Sequence, residues 1–279
     1  MTRIDLHCHS TASDGTLSPQ QVVTRAAAAG VGLLALTDHD DLAGLESARR
    51  TAETAGVRLL DGVEVSVTWR ERTVHVVGLD IDPGNTTLQE GLANLRAGRG
   101  ARAERMAEGL AAAGIGDTLE GAARYVSNPG LVSRTHFARL LVARGVCKDV
   151  RGVFQRFLAE GKPGYVPHRW AALEEAIGWI RGAGGVAVLA HPGRYKYSGA
   201  AVRQLLREFK AAGGAALEVV TASHGPAQVT RFAALAREFG LLASAGSDFH
   251  DPDESMLDLG RLPALPARVE PLWARMGWI

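Results

Sequence analysis

Strand-like and helix-like segments alternate at both ends of this chain, with a long helical stretch between them, and few folds accommodate that order. Ile4-Asp5-Leu6-His7-Cys8-His9 alternates as a strand does. Ser18-Pro19 supplies a cap and a first-turn proline for an Ala-rich helix, which Gly30 ends. Leu33-Leu34-Ala35-Leu36-Thr37 is a continuous apolar run, as in a strand buried on both faces. A second helix spans about 42–55 and stops at Gly56. Arg58 to Val67 and Thr73 to Asp80 read as strands joined by a turn at Arg70-Glu71-Arg72. After Pro83-Gly84 the pattern becomes helical to about Leu158, with breaks at Gly114-Ile115-Gly116 and Asn128-Pro129-Gly130. Strands then return at 185–190, 216–220 and 241–245, separated by helices at 200–212 and 227–239. These strands fit a (β/α)-type barrel formed by 1–83 and 166–279, with a helical insertion, a lid or substrate subdomain, over 84–165. An open doubly wound sheet is the alternative.

Composition narrows the setting. Hydrophobic residues make up 46% of 279 and charged residues 22%, so a folded globular chain is expected. No apolar run approaches the roughly 18 residues that a membrane span needs, and Met1-Thr2-Arg3-Ile4-Asp5 has no signal-peptide core. Only Cys8 and Cys147 are present, so no disulfide framework is expected and the cytoplasm is the expected compartment. Neither a membrane partner nor a duplex-DNA reader is expected, and the chain reads as a monomer or small homo-oligomer.

The chemistry-bearing residues fall where a barrel gathers its active site, at the C-terminal ends of the strands. His7 and His9 are i and i+2 of a strand and so share a face, which lets both imidazoles reach one metal ion. Cys8 points the other way and reads as a small core residue. His39 follows the second strand in Thr37-Asp38-His39-Asp40, Glu64 lies near the end of the third, and His191 follows the fifth in Ala190-His191-Pro192. Asp248 and His250 follow the last, in Gly246-Ser247-Asp248-Phe249-His250. His75 starts a strand instead of ending one, but the turn at 70–72 folds that strand back, so His75 should lie near Val67 and within reach of Glu64. Asp14, just before Gly15, is either a ligand beside His9 or a turn carboxylate.

This ordered set resembles the PHP (polymerase and histidinol phosphatase) family, from residue 4 to about 260. The resemblance implies a distorted seven-stranded (β/α) barrel with up to three metals, and it assigns His7, His9, Asp14, His39, Glu64, His75, His191, Asp248 and His250 as ligands that act in catalysis through those ions. In the family's arrangement His7, His9, Glu64 and Asp248 hold one ion. Glu64 bridges to a second, held with His75 and His191, and Asp14, His39 and His250 hold a third. Some relatives carry histidine where this chain has Asp14. The carboxylate favours harder ions, so two or three divalent ions are expected, Mn²⁺ first, with Fe²⁺, Mg²⁺ and Zn²⁺ as alternatives. A water bridging two such ions loses its proton near neutral pH, against about 15.7 in bulk, and can attack phosphorus in line.

The substrate is suggested by charge. Residues 96–169 hold 11 Arg and 2 Lys against 4 Glu and 2 Asp, a balance of +7 in a chain of net charge +1. A basic cover over a metal rim suits a substrate with more than one phosphate. Arg96, Arg99, Arg102 and Arg105 recur about once per turn and read as a solvated helix face. Arg134 and His136 open a helix after a Ser133 cap, a natural anion site, and Lys162 and Arg194 are further phosphate contacts. His224 is either a substrate contact or a structural hydrogen bonder. His168 reads as structural. Tyr165, Trp170 and Tyr195 either stack a base or pack. Within the family the chain resembles members that act on 3′,5′-bisphosphorylated nucleotides and on 5′ ends of short RNAs. A phosphorylated nucleotide or short oligonucleotide is therefore the expected substrate, and hydrolysis of the 3′-phosphate of a nucleoside 3′,5′-bisphosphate (such as pAp to AMP) the expected reaction. Histidinol phosphate or another small monoester is the alternative, and a non-catalytic metal-binding or scaffold domain is the alternative of another class.

Overall fold

A computed structural model describes residues 2–279. Seven strands form one sheet in chain order: β1 (Arg3–Asp5), β2 (Val31–Leu36), β3 (Arg58–Trp69), β4 (Arg72–Leu79), β5 (Val186–Leu189), β6 (Ala216–Thr221) and β7 (Leu242–Gly246). All neighbours pair in parallel except β4, which runs antiparallel to both β3 and β5. That reversal follows from the two-residue turn Arg70-Glu71, where both residues take positive φ (46° and 64°) as a tight hairpin of this hand requires. The sheet curls until its ends meet. Leu6 N donates to Ala245 O (3.0 Å) and Asp248 N to His7 O (2.8 Å). Gly246 allows this approach, since a Cβ there would lie 2.2 Å from the His7 Cβ. The result is a nearly closed, distorted barrel.

Helices α1 (Pro19–Ala28) and α2 (Leu45–Ala55) cover β2 and β3, and Val22, Val23, Ala26, Ala48 and Ala52 pack with Leu34 and Leu36. Ser18 caps α1 in a capping box with Gln21, and Gly56 ends α2 in the left-handed conformation. Between β4 and β5 lie α3 (Thr86–Ala97), α4 (Arg99–Ala112), α5 (Thr118–Ala123), α6 (Arg134–Ala143), α7 (Val150–Val153), a π-helical turn at Phe154–Leu158, and α8 (Leu173–Gly182). The apolar residues Leu88, Leu92 and Leu95 of α3 join the barrel's outer core, together with Ile177 and Ile180 of α8. A separate core begins in α4, where Ala103, Met106 and Leu110 pack against Phe137, Leu141, Val153 and Leu158. Then α9 (Gly199–Ala211) and α10 (Pro226–Phe239) cover β5 to β7, and α11 (Leu272–Arg275) follows them. Leu272 and Trp278 pack with the barrel interior, among Leu6, Leu33, Leu60, Val77 and Val188.

Three expectations change. The first strand ends at Asp5, not His9, and pairing beyond it survives only as a Cys8–Phe249 bridge. Glu64 is in mid-strand, because β3 continues past the barrel rim to pair with β4 as far as Trp69. The four arginines do not form one solvated face. The helix breaks at Gly98, which ends α3 and begins α4, and the inward face of α4 carries Arg99 and Arg102 beside Met106 and Leu110. Of the four, only Arg105 is exposed.

Candidate metal centre

The chain leaving β1 stays extended, so His7 and His9 turn the same way and their Nε2 atoms come within 3.2 Å. Cys8 faces the core, its Sγ donating to Ala35 O. The loop after β2 brings His39 beside β3 through a His39–Glu64 bridge. The hairpin sets His75 opposite Ser66, and the chain after β5 delivers His191. Glu64 ends up wholly buried at the centre. Its Oε1 accepts from His75 Nδ1 and His191 Nε2, both at 2.8 Å. Its Oε2 lies 3.0 Å from His39 Nδ1 and 3.3 Å from the Nε2 atoms of His7 and His9.

From the chain after β7, Asp248 Oδ1 approaches His9 Nε2 (3.4 Å) and His7 Nε2 (3.6 Å). His250 Nε2 lies 3.3 Å from Asp14 Oδ1, and His39 Nε2 4.0 Å from it. Asp14 therefore turns its carboxylate into the cluster instead of closing its own turn. Asp40, His191 and Asp248 all hold positive φ (49°, 26° and 55°). Such backbone costs of order 1–3 kcal/mol per residue and gathers where a site dictates geometry.

All nine candidate ligands thus meet on one rim. Three groups have ligand atoms within 4.8 Å of one another: His7, His9, Glu64 and Asp248; His9, Asp14, His39 and His250; and His39, Glu64 and His75. Asp14 Oδ1, His39 Nδ1 and Glu64 Oε2 are buried without a hydrogen-bond partner among the described residues. Buried polar atoms rarely stay unsatisfied, and these three point into the cluster, so the residues present fit divalent cations. Electrostatics agrees. Burial opposes every charge here, yet the histidines around Glu64, His75 first, hold its carboxyl well below the usual range. Asp14 and Asp248 are held down in the same way, by His250 and by Arg194 respectively. Against burial, Asp248 and Glu64 push His9 up to about 10, and Glu218 leads in raising His7. Burial dominates at His75 and His191 and pushes both down.

The supporting groups were not expected. Glu218 in β6 is buried, with Oε1 2.7 Å from His7 Nδ1 and Oε2 accepting from the His191 amide at 2.5 Å. One carboxylate thus positions candidate ligands from the segments that follow β1 and β5. A lone acid in Ala216-Leu217-Glu218-Val219-Val220 was the available signal, since a buried acid requires a partner. Asp38 holds the loop carrying Asp14, accepting from Ser10 N (2.7 Å), Ser10 Oγ (2.6 Å) and Ser13 Oγ (2.6 Å). Asp40 accepts from Ser66 and forms a buried ion pair with Arg99.

The expected substrate contacts separate. Arg194, half-exposed, donates to Asp248 Oδ2 at 2.6 Å. Arg134 is the first residue of α6, just after Ser133, whose Oγ donates to Asp14 Oδ2 at 3.0 Å. His136 accepts the Ser133 amide on Nδ1 (3.0 Å), and burial pushes it down to about 4. His224 uses both ring nitrogens on backbone, Nδ1 donating to Val219 O (3.0 Å) and Nε2 accepting from Gly193 N (2.9 Å), so it acts as a structural hydrogen bonder. Lys162 is exposed in a turn whose neighbour Pro163 lies against Gly109 of α4. Tyr195 spends its hydroxyl on the His75 amide and Ala190 carbonyl, and Trp170 is buried with its indole N–H on Thr73, so both serve packing. Tyr165 is half-buried.

Comparison with known proteins agrees with this geometry. A family model for the PHP domain matches residues 5–222. The chain is 50% identical over 276 residues, 99% of its length and 97% of the relative's, to a 3′,5′-nucleoside bisphosphate phosphatase of Chromobacterium violaceum. It is 45% identical over 271 residues, 96% of its length and 92% of the relative's, to the 5′-3′ exoribonuclease Rnm of Escherichia coli. Among solved structures, an amidohydrolase of Chromobacterium violaceum with bound sulfate and no metal superimposes with a TM-score of 0.95 at 49% identity, covering 99% of this chain and 96% of that one.

Proposed function

Because the chain belongs to the PHP domain family and is a hydrolase of phosphoester bonds, we propose that it removes the 3′-phosphate of nucleoside 3′,5′-bisphosphates and uses the 5′-phosphate as a handle. The observation that carries this reading is the docking of a basic unit directly onto the acid–histidine cluster. Ser133 and Arg139 of that unit both grip Asp14, through its carboxylate and its carbonyl. Arg134 follows Ser133, and Arg194 stands on Asp248. We assign the nine clustered residues as ligands of two or three divalent ions, Mn²⁺ first.

When bound, those ions supply a hydrolytic nucleophile at neutral pH and draw charge from the phosphate oxygens. The chain's own residues do the rest. Glu218 fixes the His7 ring and the His191 backbone, and Asp38 fixes the loop of Asp14. Arg194 spends one nitrogen on Asp248 and keeps the others toward solvent for a phosphate oxygen. The free thiols of Cys8 and Cys147 suit a reducing cytoplasm, and no helix among the described residues is long and apolar enough to cross a membrane.

The test is phosphate release, with Mn²⁺, from adenosine 3′,5′-bisphosphate, adenosine 3′-monophosphate and histidinol phosphate, and cleavage of a 5′-phosphorylated short RNA. The RNA belongs in the series because of the exoribonuclease relative. We expect the bisphosphate to be preferred over the 3′-monophosphate. Equal rates on those two would overturn the reading and leave a simple monoester as the better substrate.

A further inference from the structure

The arginines of the helical unit fall into two sets. Arg102 of α4 and Arg134 of α6 meet no carboxylate at ion-pair distance among the described residues, whereas Arg96, Arg99 and Arg139 do. The second set is aimed at the rim. Arg99 pairs with the Asp40 carboxylate, and Arg96 donates to the Asp40 carbonyl (2.6 Å), one residue past His39. Asn128 donates to Ala12 O (3.1 Å) and Asp41 Oδ2 (3.0 Å), so it ties the loop of Asp14 to the loop of His39.

Arg139, only 7% exposed, joins a third segment to these two. Its Nε and Nη2 fork onto the Glu254 carboxylate (2.9–3.1 Å), and its Nη1 donates to Asp14 O (2.7 Å). Each of its three nitrogens therefore has a protein acceptor. Glu254 belongs to the turn that follows His250. Its amide donates to Asp251 Oδ1 (2.9 Å), and Ser255 Oγ accepts from the amides of His250 (2.9 Å) and Asp251 (3.1 Å). One guanidinium thus spans the two segments that present Asp14 and His250.

Ser133 finishes the arrangement. Its Oγ accepts from the Thr135 amide (3.1 Å) and donates to Asp14 Oδ2 (3.0 Å). That oxygen is spent, and Asp14 Oδ1 is left facing His250 Nε2 (3.3 Å) and His39 Nε2 (4.0 Å). Of the nine candidate ligands, Asp14 is the one that the helical unit hydrogen-bonds among the described residues. His7, His75, His191 and Asp248 are supported from the barrel instead, by Glu218, Tyr195 and Arg194.

We propose that the helical unit completes the cation site of Asp14, His39 and His250, with Arg139 as its positioning residue, so that filling this site and seating the helical unit favour each other. This rests on the assignment of the nine residues as ligands. The three ligands come from three loops that must be held in register, and the bonds that hold them come from Arg96, Arg99, Asn128, Ser133 and Arg139. Ordering the loops beforehand removes that cost from binding, and the coupling is reciprocal by linkage. The ligand groups around His7 and His75 lack such contacts and should fill whether or not the unit is seated.

Calorimetric titration with Mn²⁺, with bound ions counted by elemental analysis, compares wild type, Arg139→Met and Arg139→Lys. Methionine keeps an unbranched stem and removes the fork. Lysine restores the charge but cannot fork onto Glu254 while holding the Asp14 carbonyl. R139M should weaken one ion roughly 10- to 100-fold and leave the others at wild-type affinity, and R139K should recover part of that loss. Hydrogen exchange read by mass spectrometry is the second measurement. Mn²⁺ should slow exchange of the α6 amides in wild type and do so much less in R139M. Equal weakening of every ion, or no weakening, overturns the positioning role, as does α6 exchange in wild type that ignores Mn²⁺. Asp14→Ala tests the premise separately. It should lose one ion, and an unchanged ion count would overturn the ligand assignment and the proposal with it. Should R139M not fold, Ser133→Ala removes only the hydroxyl on Asp14 and should weaken the same ion by a smaller factor. Unchanged affinity for every ion in that variant would then overturn the coupling.

Discussion

The barrel rim and the helical unit solve opposite electrostatic problems. On the rim, Glu64 and Asp14 are buried and Asp248 nearly so, among six histidines that partly neutralise them, and a carboxylate behind, Glu218, holds the segments carrying His7 and His191 in place. Across from it, α4 and α6 bury guanidiniums, two of which have no acid to meet. The rim leaves buried acid and imidazole atoms open for cations, whereas the helical unit leaves part of its positive charge for an anion. A site that must hold cations and a polyanionic substrate together is expected to divide in this way, because metals and phosphates need opposite fields on either side of one reacting group.

That division can be attacked from the metal side first. Asp248→Ala removes a group that faces His7, His9 and Arg194. One bound ion per chain should be lost, and phosphatase activity should drop by several orders of magnitude, as metal analysis and phosphate release would show. Full activity in that variant would break the metal half of the comparison. On the helical side, Arg134→Ala should lower kcat/KM on the bisphosphate roughly 10- to 150-fold and cost less on the 3′-monophosphate. Equal losses on both would mean that the cover is a folding element.

Glu218→Gln keeps the shape of the side chain but removes the charge behind His7. Metal affinity should fall roughly 10- to 100-fold, read by competition with a chelator. Proton linkage sharpens the same point. With only protein groups around it, His9 is pushed up to about 10, so it carries a proton at neutral pH that an ion must displace. Affinity should therefore rise with pH, by about tenfold per unit for each proton released, until the pH passes that value. Calorimetry in buffers of different ionisation heat would count the protons, and uptake without proton release would contradict the shift. The smallest effect should come from Cys8→Ser. The Cys8 thiol faces Ala35 and away from the cluster, so metal content should be intact and stability lower by about 1 kcal/mol. Loss of an ion with the fold intact would make Cys8 a ligand.

What the sequence determined by itself was the periodic part. Alternation of strand and helix favoured a barrel over an open doubly wound sheet, and one face of an extended segment put His7 and His9 together, because side-chain direction follows from local backbone geometry. The strand-end positions of His39, His191, Asp248 and His250 could be read for the same reason. Tertiary structure alone decided the rest. Whether Asp14 is a turn carboxylate or part of the cluster depended on where Ser133 and His250 fall, 119 and 236 residues away. Glu218 looked like a strand residue until His7 and His191 closed around it. The arginines of α4 had a helical period, but a period cannot say which side meets another surface. The break at Gly98 and the approach of Asp40 turned Arg99 and Arg102 inward. Burial and pairing of a charge are set by what packs against it, and that information is held by residues far away in the chain.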